Sequence, residues 1–453
     1  MGDPRERVMK QLAINHQSGH EMHAFVGRLF PICRSLTGNG VRQTLKSVGE
    51  HLPGLNTYEI PSGTKAFDWT VPDEWNIQSA TLTGPSGETI ADFNDNNLHV
   101  VGYSTPVDAE FSLEELQPHL YSLPHLPDAV PYVTSYYARR WGFCLPHNTR
   151  ESLKPGNYRA RIDSILAPGH LTLGELILPG AEEREILLST YICHPSMANN
   201  ELSGIAVTVW LAKWLMQKKR RYTYRILFVP ETIGSIVYLS NHLEQMKSAT
   251  IAGFNITCVG DDRCFSFLES RRANTLPDRV AKHVLSHIAP DYVRYTFRDR
   301  GSDERQYCSP GVDLPVCSIM RSKYGEYPEY HTSRDDMSLV TPSGLAGALE
   351  ALRLCLVCLE NNEVPMAQVL CEPQLGKYQL YPTISGAKPL DESVRHMMDL
   401  LAYSDGEQDL LSIAEIIGVP LWELLPVVSQ LKSHALLARH EAQEVRCRQG
   451  DTS

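Results

Sequence analysis

Four apolar runs in the middle of this chain each end in residues able to bind a metal ion or move a proton. Residues 189–193 (STYIC) run into His194, and residues 225–229 (RILFV) run into Pro230-Glu231-Thr232. Residues 255–259 (NITCV) end in Gly260-Asp261-Asp262, and residues 314–319 (LPVCSI) lead through Lys323-Tyr324-Gly325-Glu326-Tyr327 to His331. Just after His194 comes Asn199-Asn200-Glu201-Leu202-Ser203-Gly204. Imidazole and carboxylate are the ligands expected for zinc or a similar divalent ion. A carboxylate beside such an ion can serve as a general base. Each feature also has a purely structural reading. Gly-Asp-Asp is a common turn, Glu231 suits a helix N-terminus, and the asparagines suit a turn with Ser203 as a cap. The joint arrangement, at four successive strand ends, favours a site.

Such a site needs elements that bring those ends together. Between about 160 and 360 the sequence alternates buried strand candidates with helices, notably an apolar helix over residues 205–215 and another over 342–359. That alternation predicts a mostly parallel sheet covered on both faces. In such sheets ligands gather at the carboxyl ends of strands. We expect an α/β catalytic domain formed by residues 1–65 and 160–365, whose sheet is mixed but mostly parallel. Residues 66–159 hold short β-rich runs broken by Pro and Gly, which read as an inserted β-rich subdomain. After a linker over 371–386, residues 386–453 read as a winged-helix-like domain, with helices either side of Gly418-Val419-Pro420.

Composition narrows the partners. Across 453 residues, 42 Lys and Arg against 53 Asp and Glu give a formal charge of 42 − 53 = −11. An acidic chain is poorly suited to neutralising phosphates, so no nucleic-acid partner is expected. No run approaches 18 apolar residues, so no membrane span is expected. The N-terminus lacks the apolar core of a secretory signal. The 11 cysteines are scattered, and the CxxC pair at Cys355 and Cys358 sits in an apolar helix candidate. They read as buried free thiols in a reducing compartment, which predicts a cytoplasmic protein.

The segment from His194 to His331 resembles the co-catalytic zinc aminopeptidases. The matching features are Ser203-Gly204, Glu231, Asp261 and SKYGEYPEYHTSRDD at 322–336. The whole chain resembles a branch of bacterial aminopeptidase-like proteins with an inserted β subdomain and a C-terminal winged helix. The resemblance rests on RSLTGNGVRQTL (34–45), PYVTSYYARRWGFCL (131–145), YICHPSMANNELSG (191–204), VPETIGS (229–235) and GSDERQYCSPGVDLPV (301–316). It implies a metal site built from His194, Asn200, Glu201, Asp261 and His331, with Glu231 as catalytic base. It also implies a role in polysaccharide or natural-product biosynthesis.

Three positions depart from the family pattern. Alignment on Ser203-Gly204 puts Asn200 where the family has a carboxylate bridging two metals, and a neutral amide is a poor bridge. Glu201 could supply that carboxylate if the loop turns. Thr232 replaces a ligand Glu, and Ser196 replaces an Asp that supports the first histidine. These losses predict one zinc rather than two. Arg305, Tyr307, Tyr324 and Tyr327 are candidates for binding a substrate carboxylate or stabilising an oxyanion.

The reading is therefore a zinc-dependent aminopeptidase-like hydrolase acting on a small peptide or amino-acid conjugate with a free amine. The rival is a catalytically impaired pseudoenzyme that binds or regulates. Oligomeric state is left open, a homo-oligomer included. Because every proposed ligand lies between 194 and 331, removing residues 387–453 should leave zinc binding intact. Zinc content of the folded, truncated protein checks this; loss of the metal would make the tail part of the site.

Overall fold

Strands too continuously apolar to face water on one side form the middle of the main sheet. The computed structural model describes residues 16–380 and 392–440. They fall into two compact units, one through residue 353 and the other from residue 354 on. In the first, eight strands form one mixed sheet. In chain order they are β1 (Asn56–Pro61), β6 (His170–Leu178), β7 (Glu182–Tyr191), β8 (Tyr222–Val229), β9 (Thr250–Asn255), β10 (Ser266–Leu268), β11 (Val293–Tyr295) and β12 (Val316–Met320). Their spatial order is β1-β6-β8-β7-β9-β12-β10-β11.

The centre, β8-β7-β9-β12, is parallel, and antiparallel pairs flank it. Every residue from Ile186 to Tyr191 is buried, as expected for a strand covered on both faces. The helices on and around the sheet include α1 (His16–Leu29), α2 (Asn39–His51), α3 (Ser203–Met216), α4 (Ile233–Ala249), α5 (Leu276–Ile288) and the short α6 (Glu304–Tyr307). Helix α3 is apolar almost all round and almost wholly buried, which makes it the core helix under the site.

The strand expected over 255–259 ends at Asn255 instead. Ile256 still donates to Ser189 O at 2.8 Å. Beyond it, Thr257 Oγ1 bonds Asn200 O at 2.6 Å and Val259 N bonds Ser203 Oγ at 2.9 Å. The loop ahead of α3 thus captures the backbone that would have extended the ladder.

A separate sheet, ordered β3-β2-β5-β4, is built from β2 (Glu74–Thr83), β3 (Thr89–Asp92), β4 (Val107–Ser112) and β5 (Asn157–Ala167), so it reaches past the 66–159 bounds read from the sequence. Its last strand runs on to Ala167, so the sheet ends in the residues that lead into β6.

The second unit contains α8 (Glu392–Tyr403), α9 (Leu410–Ile417), α10 (Leu421–Ser433) and a ribbon of β13 (Pro365–Ala367) with β14 (Leu437–Arg439). Gly418 closes α9 at φ 80°, donating to Ala414 O, a position that only glycine takes without strain. Because β13 pairs with β14, the winged-helix unit begins ahead of the linker read from the sequence. Its basic residues Arg395 and Lys432 are paired with Asp399 and Glu363. The long helix α7 (Pro342–Asn361) has the length and hydropathy of a membrane span, yet 67% of its most apolar window is buried inside the protein. Cys355 and Cys358 lie on it as buried free thiols.

Helix α3 approaches the loop after β9 closely at Gly204. A methyl there would collide with the Ile256 carbonyl and come within 2.7 Å of Thr190 Oγ1. Since backbone must move to relieve it, Gly204→Ala should cost about 1–3 kcal/mol. Urea unfolding measures this, and an unchanged midpoint would contradict the close packing.

Candidate metal centre

Three of the four strand-end groups meet in one cavity of about 360 Å³, lined in part by His194, Glu231, Arg305 and His331. His194 follows β7 and is held by a buried carboxylate. Glu201 Oε2 lies 3.1 Å from His194 Nδ1 and also accepts the backbone N–H groups of His194 and of Cys193, the latter at 2.6 Å. With Nδ1–H directed at Glu201, the lone pair of Nε2 is free. That Nε2 faces Glu231 Oε2 at 3.7 Å, beyond hydrogen-bond reach.

Glu201 has no water around it and needs a cation. Arg34 supplies it, with Nε 2.7 Å from Glu201 Oε1 and neither side chain exposed. The same guanidinium donates to His194 O at 3.0 Å and to Leu29 O at 2.8 Å. Glu201 can reach back to His194 because residues 198–202 form a π-helical turn ahead of α3. Such turns recur at functional sites. The turn is pinned by Asp335, whose carboxylate accepts from Asn199 N at 2.5 Å, Asn200 N at 3.0 Å and Tyr327 Oη at 2.8 Å.

Glu231 enters the cavity from a strained turn. Thr232 has φ 67° and ψ −74°, and Ile233 N donates to Glu231 O at 2.8 Å. This is the γ-turn of positive φ, rare and costly for a β-branched residue. Asp303 holds it by accepting from Thr232 N at 2.7 Å and Ser235 Oγ at 2.8 Å. Arg305 Nη2 donates to Thr232 Oγ1 at 2.7 Å.

His331 lies on a loop at φ 55°. Its carbonyl accepts from Tyr132 N at 2.8 Å, and Ser333 N donates to Val130 O at 2.8 Å. Residues 130–132 therefore clamp the loop that carries His331. The same segment also supplies much of the cavity wall, as Tyr132, Thr134, Tyr136 and Tyr137. Tyr132 packs its ring 5.2 Å from that of His194 and 5.1 Å from that of His331.

The electrostatics separate the ionisable groups. Burial opposes a charged His194, but the Glu201 hydrogen bond and the Glu231 and Glu201 charges outweigh it and raise its pKa. Burial, with His194 nearby, drives His331 down to about 3, so it is a neutral lone-pair donor. Burial raises Glu231, against the charges of His194 and Arg305. Burial and the neighbouring Glu231 raise Asp303 to about 7.

The other residues read from the sequence lie away from the cavity lining. Asp261 is saturated: its oxygens accept from Asn199 Nδ2, Ser322 N, Ser322 Oγ and Arg263 N at 2.9–3.0 Å. Asn199, rather than Asn200, meets Asp261; Asn200 Oδ1 instead faces Tyr191 Oη at 3.2 Å. Glu201 is committed to Arg34 and His194, and takes the supporting role that Ser196 does not. Ser196 Oγ donates to Phe30 O at 3.1 Å. Tyr307 bonds Ser189, Tyr324 bonds Glu304, and Tyr327 bonds Asp335, all three buried. Sequence reasoning passed over Arg34, Tyr132, Tyr136 and Asp335 as site residues. All four lie within the quoted segments 34–45, 131–145 and 322–336, the only signal that pointed to them.

The donors fit a metal ion. His331 Nε2 is buried with no hydrogen-bond partner. Its ring centre lies 5.3 Å from that of His194. Two imidazoles bound through nitrogen at about 2.0–2.1 Å to one tetrahedral zinc have ring centres roughly 5 Å apart.

A family profile described as a domain of unknown function, DUF4910, matches residues 23–362, and one described as a winged helix-turn-helix matches 363–439. A Clostridium acetobutylicum protein, named provisionally for polysaccharide biosynthesis and an aminopeptidase-like domain, is 43% identical over 412 residues, covering 90% of this chain and 94% of its own. A crystal structure from the same organism, provisionally called a peptidase, is 40% identical with a TM-score of 0.90, covering 96% of this chain and all of that one. A zinc aminopeptidase of Bacillus subtilis shares the fold at 12% identity, with a TM-score of 0.56 over 77% of this chain and 95% of its own.

Removing the cation from Glu201 should be costly. Arg34→Met leaves a buried, unpaired carboxylate, worth about 3–5 kcal/mol of stability. The double variant with Glu201→Gln should recover part of it. Denaturant unfolding of both decides; equal losses would mean the pair is not coupled.

Proposed function

Because the chain belongs to the DUF4910 family, aminopeptidase-like proteins with a C-terminal winged helix, we propose that it is a zinc-dependent hydrolase of amide bonds in small peptides or amino-acid conjugates. The observation that carries this is a pair of imidazoles with ring centres 5.3 Å apart, one with an orphaned buried nitrogen, lining one cavity with the Glu231 carboxylate. His194 Nε2 and His331 Nε2 would hold the ion, with Glu201 fixing the first imidazole from behind. A bound zinc supplies Lewis-acid polarisation of the scissile carbonyl and of water.

The chain's own groups do the rest. Glu231 takes a proton from the attacking water and delivers it to the leaving amine nitrogen. Its raised pKa brings it toward the neutral range where a base works best. Tyr132 and Tyr136, hydroxyl to hydroxyl at 2.6 Å, wall the cavity. Burial holds both phenols well above their usual range, so they stay neutral hydrogen-bonding groups.

A single ion fits this donor set better than two. Two adjacent dications need an anionic bridge. Asp261 and Glu201 have their oxygens committed elsewhere, and Asn199 and Asn200 are neutral.

Glu231→Gln should retain about one zinc per chain and lose turnover on the order of a hundredfold or more. Metal analysis with a screen of dipeptides and aminoacyl amides measures both. Loss of zinc would make Glu231 a ligand, full activity would dismiss it as the base, and a zinc-loaded wild type without turnover would favour the pseudoenzyme.

A further inference from the structure

Charged groups around the cavity are few. Its lining holds one carboxylate, Glu231, and one guanidinium, Arg305, besides the two histidines. The nearby acids Asp303 and Glu304 do not line the cavity, although Asp303 Oδ2 is buried without a hydrogen-bond partner. Asp303 Oδ1 holds the turn at Thr232, and Glu304 accepts from Gly301 N, Tyr324 Oη and Asn255 Nδ2. A substrate ammonium would therefore meet only the carboxylate that has to act as base.

Arg305 is differently placed. Its Nη2 is fixed on Thr232 Oγ1 at 2.7 Å, yet its Nε is buried with no hydrogen-bond partner. A buried charged donor left unpaired is costly and unusual. Guanidinium presents its N–H groups as a planar fork that matches a carboxylate. Since Arg305 grips the residue next to Glu231, an anion bound there lies beside the proposed base.

We propose that Arg305 anchors a carboxylate carried by the substrate, so that the site selects amides with a carboxylate near the scissile bond over amides with only a free amine. This rests on the hydrolase reading, takes up the expectation that Arg305 binds a substrate carboxylate, and departs from the expectation of a substrate with a free amine.

Calorimetric titration of the full-length, zinc-loaded protein with three matched probes tests it. They are N-acetyl-L-phenylalanine, its uncharged carboxamide, and L-phenylalaninamide, which carries the amine alone. The acid should bind at least tenfold more tightly than either amide. Arg305→Ala should abolish that preference, costing the acid at least tenfold more affinity than it costs the carboxamide. A role confined to bracing the γ-turn would instead weaken all probes alike. Arg305→Lys, which keeps the charge and loses the fork, should reduce the preference to a few-fold and carries the test if the alanine variant does not fold. Equal affinities, tighter binding of L-phenylalaninamide, no measurable binding of the acid, or a preference that survives substitution would each overturn the proposal. Affinity and hydrolysis are read separately, the second from product release, so a preference present without hydrolysis would count against the hydrolase reading alone.

Discussion

A carboxylate sealed from water sets the geometry of this site. Glu201 accepts two backbone N–H groups and faces one imidazole nitrogen, and its charge is balanced by Arg34. Isolated in the core it would be prohibitively costly, and only this full set of partners makes burial tolerable. Satisfying it requires the π-helical turn before α3, the end of β7 and the loop after α1 to meet at one point. The meeting leaves His194 with a defined tautomer and Nε2 free toward the cavity. Arg34 thereby matters to the site without lining its cavity.

The other two cavity groups are held with similar force from elsewhere. Glu231 leaves β8 through a γ-turn that a threonine adopts only under constraint, and Asp303 and Arg305 supply that constraint. His331 is held by backbone pairing with the inserted segment around residues 130–133. The segment 130–137 is thus part of the cavity, supplying both a clamp and aromatic walls. Strain at Thr232 and at His331 lies where the proposed chemistry is, as expected when surrounding packing over-determines a few residues.

Much of this was legible in the sequence because strand ends are local. The apolar runs that end at His194 and Glu231, followed at once by polar residues, announced the parallel strands and the polar groups at their carboxyl ends. The Gly418-Val419-Pro420 turn likewise marked the helices of the winged-helix unit. What could not be read was direction. Glu201 looked like a replacement bridge for two metals, since nothing in its neighbours shows that a turn aims it back at His194 and at Arg34, 167 residues earlier. Asp261 looked like a ligand because it follows an apolar run. That run leaves the sheet at Asn255, and four donors then occupy the carboxylate. Asn199 and Asn200 are adjacent and chemically identical, so only the structure distinguishes the one that meets Asp261.

The central claim is that two imidazoles, His194 and His331, share one metal ion. Zinc K-edge X-ray absorption on the protein as purified tests it most directly. The account predicts two imidazole ligands at about 2.0–2.1 Å with oxygen completing the shell, and no metal–metal scattering. A metal–metal vector at about 3.5–4 Å, the spacing of a two-ion site, or a shell without imidazole, would contradict it.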